Sequence, residues 1–342
     1  MTILYPDTEW KTISPAGAGF DTGKLQAARR WQQERAQDPR YAQYRTVVVR
    51  GGRVVAEWNQ GLDRGCHTWL ASASKSLFSS ILGIVIAEGK IPSADARLID
   101  FYPEALDVPA GQGPKEGRYA FDKDLEITFR QLISNTSGYM KPGELPGQVF
   151  HYQTYGMNVL THAIAKTYGL YSIDDPEGSP GFKVLVDEKL RIPIGGTWSY
   201  YLANFDLPSQ ARTNIFGYYD GVSATALDMA RLGWLWLNGG RWKDEQVIPE
   251  DWLSEAARTA AVIIENCPKE QWNYGYAFWT NDHGQLWPNL PRDSFAASGA
   301  GQQHIWVCPS LDLVVAQSPG QWEDQVENDA GLLKLVVDAI NA

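Results

Sequence analysis

The stretch Leu77-Phe78-Ser79-Ser80-Ile81-Leu82-Gly83-Ile84-Val85-Ile86-Ala87 constrains this chain more than any other. Leu77, Phe78, Ile81, Leu82 and Val85 fall at helical spacing, and Ile84, Ile86 and Ala87 fill the other faces. A helix apolar nearly all round is a buried one, so the rest of the fold must wrap it. It stops at Glu88-Gly89-Lys90-Ile91-Pro92, with glycine and then proline just past its end. At its mouth stand Ser72 and Lys75, in Trp69-Leu70-Ala71-Ser72-Ala73-Ser74-Lys75-Ser76. Residues three apart on a helix share a face, which brings Lys75 to the Ser72 hydroxyl. The positive helix end favours the negative charge that develops there and disfavours a nearby ammonium, as a lysine acting as base requires. Burying a lysine at this position is costly unless it is paired or neutral. The pair reads as a nucleophile and its activator.

Composition excludes several classes. With 342 residues the chain suits two domains or one large one, and a net charge of −10 argues against nucleic acid as a partner. Runs such as Ile84-Val85-Ile86-Ala87 are far too short to span a membrane. The start, Met1 to Asp7, lacks the pattern of a signal peptide, so a cytoplasmic location is expected. Cys66, Cys267 and Cys308 are odd in number and widely spaced, which indicates neither a disulfide framework nor a zinc site. Neither His-Glu-x-x-His nor Gly-x-Ser-x-Gly occurs. Aromatic residues in expected loops, among them Trp198, Tyr200, Tyr201, Tyr219 and Tyr276, would make good walls for an apolar acyl group.

Along the chain, Asp21 to Ala36 reads as a helix capped by Asp21, and Thr46–Arg50, Gly51-Gly52 and Arg53–Trp58 as a hairpin. Helical patterns then dominate to about residue 265, including Phe129–Ile133, Tyr155–Tyr168, Gly181–Leu190, Thr225–Leu237 and Pro249–Ala261. Residues 103 to 124 read as a surface loop. Strand patterns return at Tyr274–Thr280, Phe295–Gly299, His304–Cys308 and Leu311–Gln317, followed by an amphipathic helix over Gln325–Ile340. Strands at both ends of a helical middle predict an α+β fold with one antiparallel sheet built from both termini and flanked by helices. The expected division is a discontinuous sheet domain, 1–65 with 270–342, and a mainly helical domain, 66–269, that carries the nucleophile.

Two more stretches matter beside Ser72. Phe150-His151-Tyr152-Gln153-Thr154-Tyr155 sets a tyrosine just before a helix, where a phenol beside a lysine can shuttle a proton. Ala296-Ala297-Ser298-Gly299-Ala300-Gly301 is a run of small residues on an edge-like strand, letting a substrate approach backbone N–H groups. In this order, these motifs resemble the serine β-lactamase and penicillin-binding-protein superfamily. The branch is similar to class C-like serine hydrolases, which include esterases, amidases and 6-aminohexanoate-dimer-hydrolase-like enzymes. Leu125–Gly138 and Gly221–Gly233 also match family patterns, and the resemblance runs from about residue 20 onward.

The resemblance implies that Ser72 is acylated, that Lys75 activates it and that Tyr152 serves as general base. Lysine and tyrosine titrate as a coupled pair, so which one holds the proton stays open at this level. It further implies an oxyanion hole from the N–H groups of Ser72 and Ala300, with Ser298 and Gly299 on the same strand and no metal or cofactor. Two positions depart from the family pattern: Thr154 replaces an asparagine and Ala297 replaces a cation, both being candidate substrate contacts. Losing the cation counts against substrates presenting a carboxylate, unless His304 or Arg292 compensates. A small neutral ester or amide is therefore the expected substrate. A β-lactamase or D-alanyl-D-alanine peptidase is the alternative, and a non-catalytic binding protein on the same scaffold is a third reading.

Overall fold

The computed structural model of the chain describes residues 3–319 and 331–341. Asp21 caps helix α1 (Thr22–Arg35), its Oδ1 accepting the Lys24 N–H at 2.9 Å. Strands β1 (Tyr44–Arg50) and β2 (Arg53–Gln60) follow as a hairpin. Its turn residues, Gly51 and Gly52, both have positive φ, at 58° and 72°, which is why only glycine serves there. A short strand β3 (Thr68–Trp69) leads into the turn Ala71–Ser74 and then helix α2 (Lys75–Ala87). Every residue of α2 from Lys75 to Val85 is buried, as its all-round apolar pattern requires.

The middle of the chain contains α3 (Phe129–Ile133), α4 (Tyr155–Thr167), β4 (Ser199–Ala203), β5 (Tyr219–Ala224) and α5 (Ala226–Leu237). A small hairpin, β6 (Arg241–Trp242) and β7 (Glu245–Gln246), precedes β8 (Trp279–Thr280), β9 (Phe295–Gly299), β10 (Gln303–Cys308) and β11 (Leu313–Gln317). Helix α6 (Leu332–Asp338) is the last described element.

The main sheet has the order β2-β1-β11-β10-β9-β8 with every neighbouring pair antiparallel, so it is built from both ends of the chain as expected. Val47 and Val49 of β1 face a core cluster shared with α2 and α5, while Val48 faces the cluster that holds Leu25 and Ala28 of α1 and Leu332 and Val336 of α6. Covering both faces explains why this strand reads as an unbroken apolar run.

Several expectations need correction. A second sheet, ordered β3-β5-β4, lies inside the stretch read as helical. The expected strand over Tyr274–Thr280 pairs as a strand only at Trp279–Thr280, with a single bridge from Tyr274 to Trp279. The expected helix Gly181–Leu190 is regular over Lys183–Val186 and then widens into a π turn. Pro249–Ala261 divides into helices Glu250–Ala256 and Ala261–Asn266. Within 103–124, Ala105, Val108 and Asp124 are buried, so this loop contributes to the interior. Of the expected terminal helix, residues 325–330 lie outside the described residues.

Candidate active site

The Ala71–Ser74 turn, which carries the candidate nucleophile Ser72, is held between the two sheets. From β5, the Val222 carbonyl accepts the Leu70 N–H at 2.8 Å, and the Val222 N–H donates to Ser74 Oγ at 3.1 Å. The Tyr219 hydroxyl donates to the Ala71 carbonyl at 2.7 Å, gripping a residue with φ of 47° directly before Ser72. A non-glycine residue in that region is strained, and the surrounding contacts must maintain it. From the other side comes β9. A Cβ added to Gly299 would stand 2.1 Å from the Leu70 carbonyl oxygen and 3.0 Å from the Ser72 nitrogen. The strand thus lies flat against the turn, and glycine is required by contact.

Lys75 Nζ is 2.7 Å from Ser72 Oγ, within hydrogen-bonding range. Lys75 is 1% exposed, and no carboxylate pairs with it among the described residues. Burial lowers its pKa to about 7, so a large fraction is neutral near neutral pH. Its Nζ also lies 5.0 Å from the Tyr152 ring centre and 5.3 Å from that of Tyr219. The Tyr152 phenol is pushed up by burial, and an interaction with the Ser72 hydroxyl opposes this only in part. Tyr152 is therefore protonated at neutral pH while Lys75 is the group whose neutral form is accessible.

Tyr152 is positioned by Asn135, a residue that sequence reasoning quoted only within a motif. The Asn135 carbonyl accepts the His151 N–H and its Oδ1 accepts the Gln153 N–H, each at 2.9 Å, so the backbone on both sides of Tyr152 is tied to one residue. Asn135 Nδ2 donates to the Tyr274 hydroxyl at 3.1 Å, and the Tyr274 ring meets that of Tyr152 edge-on at 5.9 Å. Trp279 of β8 stacks on the Tyr152 ring at 5.9 Å and meets Tyr274 edge-on at 5.1 Å, so the three rings form one cluster. Asn135 has φ of 57°, a conformation that asparagine tolerates better than most residues, and this was the available sequence signal.

The remaining candidates fall into distinct places. Ala300 is exposed at the start of the β9–β10 turn, one residue beyond the Gly299 contact. Ser298 Oγ is 3.1 Å from His304 Nδ1 across the strand pair. Thr154 is half-buried and lines a cleft next to Tyr152. Ala297 is fully buried in the core, which leaves its side chain no surface to offer a substrate. Neither proposed replacement for the missing cation supplies one here. Burial lowers the His304 pKa to about 3, keeping it neutral, and Arg292 lies against Gly284 in a separate cavity with Trp236 and Leu253. Of the aromatic residues expected in loops, Tyr200, Tyr201 and Tyr219 lie on β4 and β5 instead, and Tyr201 stacks at 4.7 Å on Trp69, which is 66% exposed and, like exposed Leu202 and Phe205, was not singled out from the sequence.

Among the described residues no helix is long and apolar enough to cross a membrane. Comparison with known proteins agrees with this architecture. The 6-aminohexanoate-dimer hydrolase of Paenarthrobacter ureafaciens is 24% identical over 314 residues, 81% of this chain and 72% of that protein. A penicillin-binding protein homologue from Caulobacter crescentus has the same fold, with a TM-score of 0.64 at 16% identity over 93% of this chain and 97% of that one. A simvastatin synthase mutant from Aspergillus terreus does too, with a TM-score of 0.67 at 14% identity over 94% and 98%. The family model described as Beta-lactamase matches residues 29–318, a span that runs from α1 through the Ser72 turn to the end of β11, and the chain belongs to that family.

Proposed function

We propose that this protein is a serine hydrolase that cleaves a small ester or amide through an acyl-enzyme on Ser72. The observation that carries the reading is Lys75: buried, without a carboxylate partner among the described residues, and 2.7 Å from Ser72 Oγ. A lysine desolvated in this way is a base rather than a structural cation.

Neutral Lys75 takes the Ser72 proton as Oγ bonds to the substrate carbonyl carbon. The oxyanion that forms is held by the N–H groups of Ser72 and Ala300, which the tight Gly299 contact supports as neighbours. Collapse breaks the C–O or C–N bond, and the leaving group takes a proton from the Tyr152 hydroxyl, which regains one from the Lys75 ammonium. Water then attacks the acyl carbon, its proton passing to Lys75, and Ser72 leaves with a proton returned by the same pair. A protonated Tyr152 suits the role of relay, and neutral Lys75 that of base. The exposed stack of Trp69 on Tyr201 would shelter an apolar acyl group. The family's hydrolase relative supports acyl transfer to water as the outcome.

The test is hydrolysis of p-nitrophenyl butyrate by wild type and Ser72→Ala, with intact mass recorded during turnover. A butyryl adduct on the wild type alone, with activity lost in the variant, is expected. Full activity in Ser72→Ala would overturn the assignment.

A further inference from the structure

Lys75 is a buried base that must become a buried cation. When it takes the Ser72 proton, an ammonium forms at a position 1% exposed, with no carboxylate paired to it among the described residues. A charge desolvated without a counter-ion is costly. Its Nζ faces Ser72 Oγ at 2.7 Å, the Tyr152 ring centre at 5.0 Å and the Tyr219 ring centre at 5.3 Å. The hydrolytic scheme gives work to Ser72 and Tyr152 and none to Tyr219.

Tyr219 is built into this spot. It is 3% exposed and stands on β5, paired with Ala203 of β4. Its hydroxyl donates to the Ala71 carbonyl at 2.7 Å, which fixes the far end of the ring against the turn. Burial pushes its phenol well above the usual range, so the hydroxyl keeps its proton. Phe78 of α2 meets the ring edge-on at 5.6 Å, and the Phe205 ring lies 6.2 Å away. Asp220 follows Tyr219 on β5, so its side chain leaves the other face of the strand, where it accepts the Phe182 N–H at 2.9 Å. The elements packed against α2 carry other titratable residues, among them His162, Lys183 and Glu255. None of these acts on Lys75, whose shift has burial as its cause.

We propose that Tyr219 is a positioning residue for the base: the face of its ring stabilises the Lys75 ammonium formed during acylation, where a carboxylate would otherwise be needed. The inference rests on the Ser72 hydrolase reading. An aromatic face within about 6 Å attracts a cation, and more strongly once water is removed. A carboxylate beside Lys75 would raise its pKa and leave little neutral base at neutral pH, whereas a ring offers a weaker attraction that lets the proton leave again. Tyr219 thereby acts on both partners, its hydroxyl holding the turn of Ser72 and its ring facing the acceptor of the Ser72 proton.

Fluorination of the ring tests this, because each fluorine weakens the attraction of the face for a cation and barely changes its size. The series is Tyr219→Phe and its 4-fluoro, 3,5-difluoro and 3,4,5-trifluoro forms, all of which lack the hydroxyl. From first to last, kcat/KM for p-nitrophenyl butyrate should fall about 3- to 30-fold, with the inflection of its pH profile moving to lower pH at each step. A ring that merely fills space would move neither, and a flat series or a rising inflection would overturn the proposal. Melting curves would establish that each protein is folded. If the Ala71 bond proves essential to folding, 3-fluorotyrosine at position 219 keeps that bond and should lower both quantities relative to tyrosine. Nuclear magnetic resonance of carbon-13-labelled lysine, with the same rings placed in Ser72→Ala, titrates Lys75 without turnover. A Lys75 pKa that falls with fluorination supports the ring's role, and an unchanged one removes it. Fluorophosphonate labelling of wild-type Ser72 reads the hydrolase assignment separately, so a failure of that reading is told apart from a failure of the ring.

Discussion

Gly299 and Leu70 approach so closely that any side chain at position 299 would collide with the Leu70 carbonyl oxygen, 2.1 Å from an added Cβ. Because Leu70 begins the turn that carries Ser72, this contact sets how β9 meets the proposed nucleophile. Gly299→Ala must push β9 away from the turn. We expect a stability loss of about 1–3 kcal/mol, in the range of other overpacked sites, with esterase activity reduced far more than that loss explains. Urea titration beside a kcat/KM measurement checks it, and full activity in a folded variant would refute the contact's role.

The Lys75 ammonium titrates in the working range. If neutral Lys75 is the base, kcat/KM should fall about tenfold per pH unit below about 7 and level off above it. A profile flat from pH 5 to 9 would exclude it.

The same burial has a cost in stability. The folded pKa lies near 7 against the ordinary 10.5, so the unfolded chain binds more protons between these values. Stability from this group is therefore lowest at and below pH 7 and rises toward pH 10.5. Lys75→Met should melt higher than wild type at neutral pH, with the gap closing as pH rises. A lower melting temperature at pH 7 would contradict this.

Tyr152→Phe removes the proposed proton donor but keeps the ring packed against Trp279 and Tyr274. An alkyl amide needs its leaving nitrogen protonated, whereas p-nitrophenolate departs without help. The variant should lose roughly 10²–10⁴-fold on an amide and much less on the nitrophenyl ester. Equal losses on both would point to a different role.

Asn135→Ala would leave the buried Gln153 N–H without its acceptor and place alanine at a φ of 57°. A stability loss of about 1–3 kcal/mol is expected from the orphaned donor, with more from the backbone. If Asn135 positions Tyr152, the loss of activity should follow the Tyr152→Phe pattern, falling mainly on amides.

The sequence announced Ser72 and Lys75 because a helix enforces their spacing, and the outer hairpin because Gly51-Gly52 can turn where other residues cannot. The all-apolar α2 announced its own burial. The second sheet was concealed: β5 reads Tyr-Asp-Gly-Val-Ser-Ala, with all six residues buried and hence no alternation to detect. Asn135 ties the backbone on both sides of Tyr152 through its carbonyl and its side-chain oxygen, contacts between segments that no local pattern encodes. The fates of His304 and Arg292 depend on strand pairing and loop path, which composition does not carry.

The pairing of β1 with β11 has a consequence for synthesis. Val47 pairs with Ala316, and Gly299 must reach the Ser72 turn from the far end of the chain. A ribosome therefore makes the serine, the lysine and the tyrosine long before it makes the strand that seats them. Until about residue 317 has emerged, the growing polypeptide carries Ser72, Lys75 and Tyr152 without the sheet that seats them. Assembly of the proposed centre is therefore a late event, tied to completion of the sheet.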